Sequence, residues 1–208
     1  LAGDYGQRTR RVYLEGRAFL RVVQDSLRPF TVHARGTLTE DLGTAFEVQA
    51  YSSDAEVRVI VTEGAAELRR EGERSDSTAV LHPGDIATLA DTGAAIVMRE
   101  QNVERMLGWT RGELSFDDMP LSEVARELQR WYDIECRIGD KAVENLHLTA
   151  QLRIGESLDE VLRLIELSLE SRGVRAERVG RVITFRGGAA AAPRPLPPVS
   201  RSRVEAGA

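Results

Sequence analysis

Three histidines, one cysteine and a few paired carboxylates are the residues in this chain that could ligate a metal, attack a bond or move a proton. His33, His82 and His147 are too few and too scattered for a metal site visible in sequence. His82-Pro83-Gly84-Asp85 reads as a turn leading into a strand. A metal reading there would need several His on adjacent strands, and no His-x-His occurs. A single Cys rules out an intrachain disulfide framework and any Cys-based zinc cage. Cys136 lies within the strand-like run Ile134 to Ile138 and shares a face with both isoleucines, so it reads as a small buried residue rather than a nucleophile. Asp117-Asp118 and Glu156, Asp159 and Glu160 are carboxylate sets of the kind used in acid/base catalysis. Both sets are expected at helix starts, where negative charge caps free N–H groups and complements the dipole. Walker loops, Gly-x-Gly-x-x-Gly and nucleophile elbows do not occur. The residues therefore point away from an enzyme, with no cofactor and no metal.

The remaining charge is basic but dispersed. Arg172, Arg175, Arg178, Arg181 and Arg186 are interleaved with Glu170, Glu177 and strand-like apolar residues. A solvated face is the simple reading, and a docking surface for an acidic partner is the alternative. The chain as a whole carries a net charge of −5 with 29% charged residues. A general nucleic-acid binder would be basic, so that class is set aside.

These residues must be positioned by elements that a length of 208 residues and 42% hydrophobic content can build as one or two globular domains. No apolar stretch reaches the roughly 20 residues of a membrane span. From about Arg10 to Glu100, short β-branched runs alternate apolar and polar residues with Gly, Asp and Pro between them. Examples are Phe30-Thr31-Val32-His33-Ala34 and Val57-Arg58-Val59-Ile60-Val61. This pattern predicts a mainly β domain, either a β-sandwich or a β-helical stack.

From Glu113 the period changes to that of helices. Leu121, Val124, Ala125 and Leu128 follow Pro120, and Leu158, Val161, Leu162 and Ile165 follow Ser157. Ser157 and Glu160 have the spacing of a capping box, and Gly173 is placed to end the second helix. Pro120-Leu121-Ser122-Glu123-Val124 and Ser157-Leu158-Asp159-Glu160-Val161 align at an offset of 37 residues. The expected unit is strand–helix–strand used twice, forming a small α+β domain in which both halves share one sheet. The resulting division is a β domain over 1–104, a linker over 105–112 containing Trp109, the α+β domain over 113–186, and a disordered Ala/Pro-rich tail over 187–208.

Several of these runs resemble the FecR family of periplasmic-facing sigma-factor regulators. The resemblance rests on Gly16-Arg17-Ala18-Phe19, on Asp25 with Arg28-Pro29-Phe30, and on Leu42-Gly43-Thr44-Ala45-Phe46-Glu47-Val48. It extends through Val59 to Gly64 and through Pro83-Gly84-Asp85. The second region is similar to the secretin/TonB short N-terminal (STN) domain, on Gly112 to Phe116, Pro120, Leu121 and the duplicated plan. This implies a single-pass inner-membrane protein of Gram-negative bacteria whose periplasmic part, the region in hand, receives a signal. The sender implied is the N-terminal signalling domain of a TonB-dependent receptor of the iron-chelate uptake type. An extracytoplasmic-function sigma factor would be held by a cytoplasmic segment before Leu1. A membrane span and the first strands of the FecR domain are likewise expected before Leu1. Partner contact is expected along a free sheet edge, either Leu114 to Phe116 or Arg181, Ile183, Phe185 and Arg186. The other reading is a β-sandwich or cupin-like domain that binds a small molecule or a cell-wall sugar, which a deep apolar pocket would favour.

Overall fold

The structure is a computed structural model and describes residues 10–73, 78–99 and 103–188. The fold is mainly β, in two compact units that divide between Arg111 and Gly112.

Alternation builds the first unit. In β6 (Glu56–Glu63), Val57, Val59 and Val61 point one way and are buried, as period two requires. Five strands form one sheet in the order β1 (Arg10–Tyr13), β3 (Phe30–Ala34), β4 (Thr37–Asp41), β7 (Ala66–Arg70), β8 (Ala79–Leu81). The second sheet runs β10 (Ile96–Arg99), β9 (Asp85–Ala90), β6, β5 (Ala45–Ala50), β2 (Gly16–Arg21). Apart from β1 on β3, every described ladder of this unit is antiparallel, unlike the parallel coils of a β-helical stack. Phe30, Val32, Leu68 and Leu81 of the first sheet share one core with Phe46, Val48, Val59 and Leu89 of the second. Each of the larger side chains contributes about 1.5–3 kcal/mol by leaving water.

The family-like motif residues serve this scaffold. The Asp25 carboxylate accepts the N–H groups of Leu27 (3.1 Å) and Arg28 (3.2 Å). Its bond to the Arg28 guanidinium holds its pKa below the usual carboxylate range. Pro29 follows this turn, and Phe30 enters the core. Leu42 is partly exposed, whereas Thr44, Phe46 and Val48 are buried. Gly43 and Gly64 both have positive φ, 96° and 74°. A Cβ on Gly64 would overlap the Gly43 carbonyl oxygen, so the two loops approach as closely as only glycine allows. Pro83 and Gly84 form a turn closed by Asp85, whose carboxylate accepts the His82 N–H at 2.8 Å.

The second unit opens with β11 (Glu113–Pro120), α2 (Leu121–Tyr132), β12 (Glu135–Ile138) and the short helix α3 (Lys141–Glu144). It continues with β13 (His147–Arg153), α4 (Leu158–Ser168), β14 (Val174–Val179) and β15 (Val182–Gly187). Pro120 ends β11 and caps α2, whose first helical residue is Leu121. Ser157 and Glu160 make the reciprocal capping box, and those bonds hold the Glu160 carboxyl below its ordinary pKa. A 3-10 turn over Glu170–Arg172 extends α4 to Gly173, which takes φ 70°.

One expectation is overturned here. The two halves do not share a single sheet: β11 pairs with β13, while β12, β15 and β14 form a separate three-stranded sheet. The cause is β14, whose Val-Arg-Ala-Glu-Arg-Val sequence hides a strand within the basic stretch. It forms a hairpin with β15 and seats β15 between itself and β12. Of the expected tail, Gly187 closes β15, and residues from 189 lie outside the described residues.

Candidate partner-recognition surfaces

The six residues expected on free edges do not form one exposed surface. β15 is paired on both sides, parallel to β12 and antiparallel to β14. The edge formed by Arg181, Ile183, Phe185 and Arg186 therefore does not exist, because the ladder groups of β15 are already engaged. Ile183 and Phe185 are fully buried, as are nearly all of Leu114 and Phe116. Arg181 lies just before β15 and pairs with Asp133, and Arg186 pairs with Glu177 at 3.0 Å. Arg178 pairs with Asp159 at 2.5 Å. Three of the five arginines are thus neutralised by acids of their own unit, which weakens the docking-surface alternative.

The edge at β11 has a different character. Ile154 N–H donates to the Gly112 carbonyl at 2.7 Å, so in this antiparallel pair the even-numbered residues of β11 as far as Phe116 face β13. Glu113 and Ser115 turn their backbone groups outward. Asp117 and Asp118 do not start a helix. They occupy a bulge between Phe116 and Met119, where Asp118 takes φ 50° and its carboxylate lies 3.0 Å from His147.

Two features escape a sequence reading. Gln129 of α2 accepts the Cys136 N–H at 2.9 Å, and Glu166 of α4 accepts the Ala176 N–H at 2.7 Å. The other is a fully buried charge, Glu47, on the face of β5 turned away from the core. Arg17 Nε pairs with it at 2.9 Å, the Trp109 indole N–H donates to it at 2.6 Å, and Arg58 lies at 4.0 Å. The Arg17 guanidinium stacks 4.9 Å from the Trp109 ring and also donates to the Met106 carbonyl at 2.9 Å. Val103 of α1 (Val103–Met106) packs with Ile60 and Ile86 beside Met106. Residues 103–111 are therefore part of the first unit, not a separate linker. The signal available in sequence is an acid at an outward strand position with an arginine and a tryptophan elsewhere, too diffuse to find without the fold.

Cys136 is half-buried, and desolvation pushes its thiol up to about 12. Against an ordinary thiol at 9.0, that leaves about a thousandfold less thiolate, and the more basic thiolate recovers about twentyfold in reactivity. Disulfide exchange with an aromatic disulfide reagent at pH 8 is expected to be about fiftyfold slower in the native chain than in denaturant. Equal rates would show that Cys136 is not desolvated. Among the described residues, no group of three or more His, Cys, Asp or Glu is placed to hold a metal ion. No described helix is long and apolar enough to cross a membrane.

The charged groups of both units are largely engaged in caps, turns and ion pairs within the chain. Comparison with known proteins shows what the chain is similar to. Residues 2–67 match the family model for FecR protein, and residues 113–184 match the model for the FecR C-terminal region. In that order the two regions place the chain with the FecR-like signalling regulators. Two crystal structures of a putative anti-sigma factor from Parabacteroides distasonis ATCC 8503 are similar to it, each at 26% identity over 89% of this chain. The matches cover 84% and 83% of those chains, with TM-scores of 0.73 and 0.72. No curated protein matches the chain.

Proposed function

We propose that this chain is the periplasmic signalling region of a FecR-like transmembrane regulator. It receives a signal from the N-terminal signalling domain of a TonB-dependent outer-membrane receptor, and its activity is protein–protein recognition rather than catalysis. The observation that carries this reading is the pair of FecR-type matches, N-terminal then C-terminal, over one fold similar to the Parabacteroides protein. In this reading the second unit acts as an STN-like domain on the periplasmic side of the Gram-negative inner membrane. In this reading the regulator holds its sigma factor on the cytoplasmic side of that membrane.

Receptor contact by strand addition falls to β11, since β15 is enclosed. A partner strand laid beside β11 would bond to the outward backbone groups of Ser115. Calorimetric titration of the full chain with the cognate signalling domain is expected to give a dissociation constant near micromolar, about −8 kcal/mol. Ser115→Pro removes an outward donor and leaves the Leu114 and Phe116 ladder positions in place, so it should weaken binding at least tenfold. Circular dichroism on the same variant reports whether it is folded. A folded Ser115→Pro chain that binds like the parent eliminates this edge. No binding by the parent removes the receptor assignment.

A further inference from the structure

The three-stranded sheet of the second unit has two outer strands, β12 and β14, and both are held in the same way. Along β12, Glu135 N–H donates to the Arg181 carbonyl and Gly139 N–H to the Phe185 carbonyl. Odd-numbered residues therefore face β15, and Cys136 and Ile138 point their N–H groups to the outside. Along β14, Gly188 N–H donates to the Gly173 carbonyl, so the odd-numbered residues again face β15. Val174, Ala176 and Arg178 point outward. The Val174 N–H is taken by the Leu169 carbonyl at 3.4 Å, at the end of the preceding helix.

At the midpoint of each outer strand a side-chain oxygen occupies the place that an incoming strand would need. On β12 it is Gln129 Oε1, and on β14 it is Glu166 Oε1. Both acceptors lie on the helix that precedes the strand, both are half-buried, and they are separated by 37 residues. That is the offset that relates the two helix starts. The same bond is thus built twice, once in each strand–helix–strand segment, although the two targets are 40 residues apart because the 3-10 turn over Glu170–Arg172 lengthens the second segment.

We propose that Gln129 and Glu166 are paired edge guards that close the three-stranded sheet to strand addition. An edge strand is a template for pairing because its outward N–H and C=O groups have no strand partner. A helix side chain bonded to the central N–H removes that donor and places helix atoms in the path of an approaching strand. With both outer strands guarded and β15 enclosed, strand addition in this unit is confined to the β11–β13 sheet. The guards thereby set where a partner strand engages. This deepens the proposed recognition role, and it also predicts behaviour of the chain with no receptor present.

The test uses the full chain without receptor. In the parent, amide exchange followed by nuclear magnetic resonance should show the Cys136 and Ala176 N–H groups protected. Gln129→Ala and Glu166→Ala should speed exchange at Cys136 and Ala176 respectively by at least tenfold. Gln129→Glu and Glu166→Gln keep an acceptor oxygen and should exchange like the parent. In sedimentation equilibrium, the double alanine variant should be heavier than the parent at each concentration, while the conservative pair should match it. Unprotected Cys136 and Ala176 amides in the parent would overturn the proposal, and that measurement needs no variant. A double alanine variant with parent-like circular dichroism and parent-like mass at every concentration would overturn it as well. Both results are independent of the receptor titration, so failure of the guards and failure of the receptor assignment are separable.

Discussion

Val161→Asp is expected to unfold the second unit while leaving the first intact. Val161 is fully buried on α4, which packs against β13 and β14, and Val124 holds the equivalent buried position on α2. Losing the valine forfeits about 1.5–3 kcal/mol of burial. Among the described residues no buried polar side chain lies in the second unit, so the introduced carboxyl must stay neutral at pH 7, which costs about 4 kcal/mol if its pKa rises by three units. The sum, about 6 kcal/mol, lies within the roughly 5–15 kcal/mol that holds a domain folded. Denaturant titration should show the transition of the second unit lost or moved to near zero denaturant, with that of the first unit retained. Because burial raises the folded pKa above the unfolded one, the carboxyl is neutral in both states below about pH 4, and that part of the loss should disappear there. Val161→Ala, which adds no polar group, should lose much less. A Val161→Asp chain as stable as the parent would mean that α4 does not pack through this face.

Arg17→Ala is expected to remove about 4 kcal/mol from the first unit. It strands Glu47, fully buried, with the Trp109 indole N–H at 2.6 Å and the Arg58 guanidinium 4.0 Å away. Breaking one half of a buried ion pair costs about 3–5 kcal/mol, because the remaining charge is still out of water. Arg58 offsets a little of this, and the lost stacking on Trp109 adds about 1 kcal/mol. Replacing both partners with apolar residues, Arg17→Met with Glu47→Leu, should return the stability close to that of the parent. A double-mutant cycle by chemical denaturation, followed by tryptophan fluorescence, measures the coupling. If Arg17→Ala falls within 0.5 kcal/mol of the parent, the buried cluster does not hold residues 103–111 in place.

Much of the scaffold is legible from residue type and spacing alone. β3, β5, β6 and β9 are legible because their inward positions are apolar at period two. α4 is legible because Ser157, Glu160 and the spacing of Val161, Leu162 and Ile165 are local features that need no distant partner. β4 is not, because its inward positions are Thr37, Thr39 and Asp41 while Leu38 is half-exposed. Neighbours bond to two of those side chains. Thr37 donates to the Ala34 carbonyl at 2.7 Å, and the Asp41 carboxylate accepts the Thr44 hydroxyl. β14 is obscured by its charged residues, which pair outside any local pattern: Arg178 with Asp159 of α4, and Glu177 with Arg186 of β15.

The proposed recognition edge divides along the same line. The repeat at 37 residues is plain in the letters, and so is the presence of short strands that could pair with a partner. Which strand is enclosed is not, because edge position depends on the order of strands in a sheet, and order is set by contacts between residues far apart in the chain. Ile183 reads as well as an edge residue as it does as a central one, until β14 folds against it. The roles of Gln129 and Glu166 arise in the same way, since an amide and a carboxylate on half-exposed helix faces acquire them only when a strand turns its outward N–H toward them.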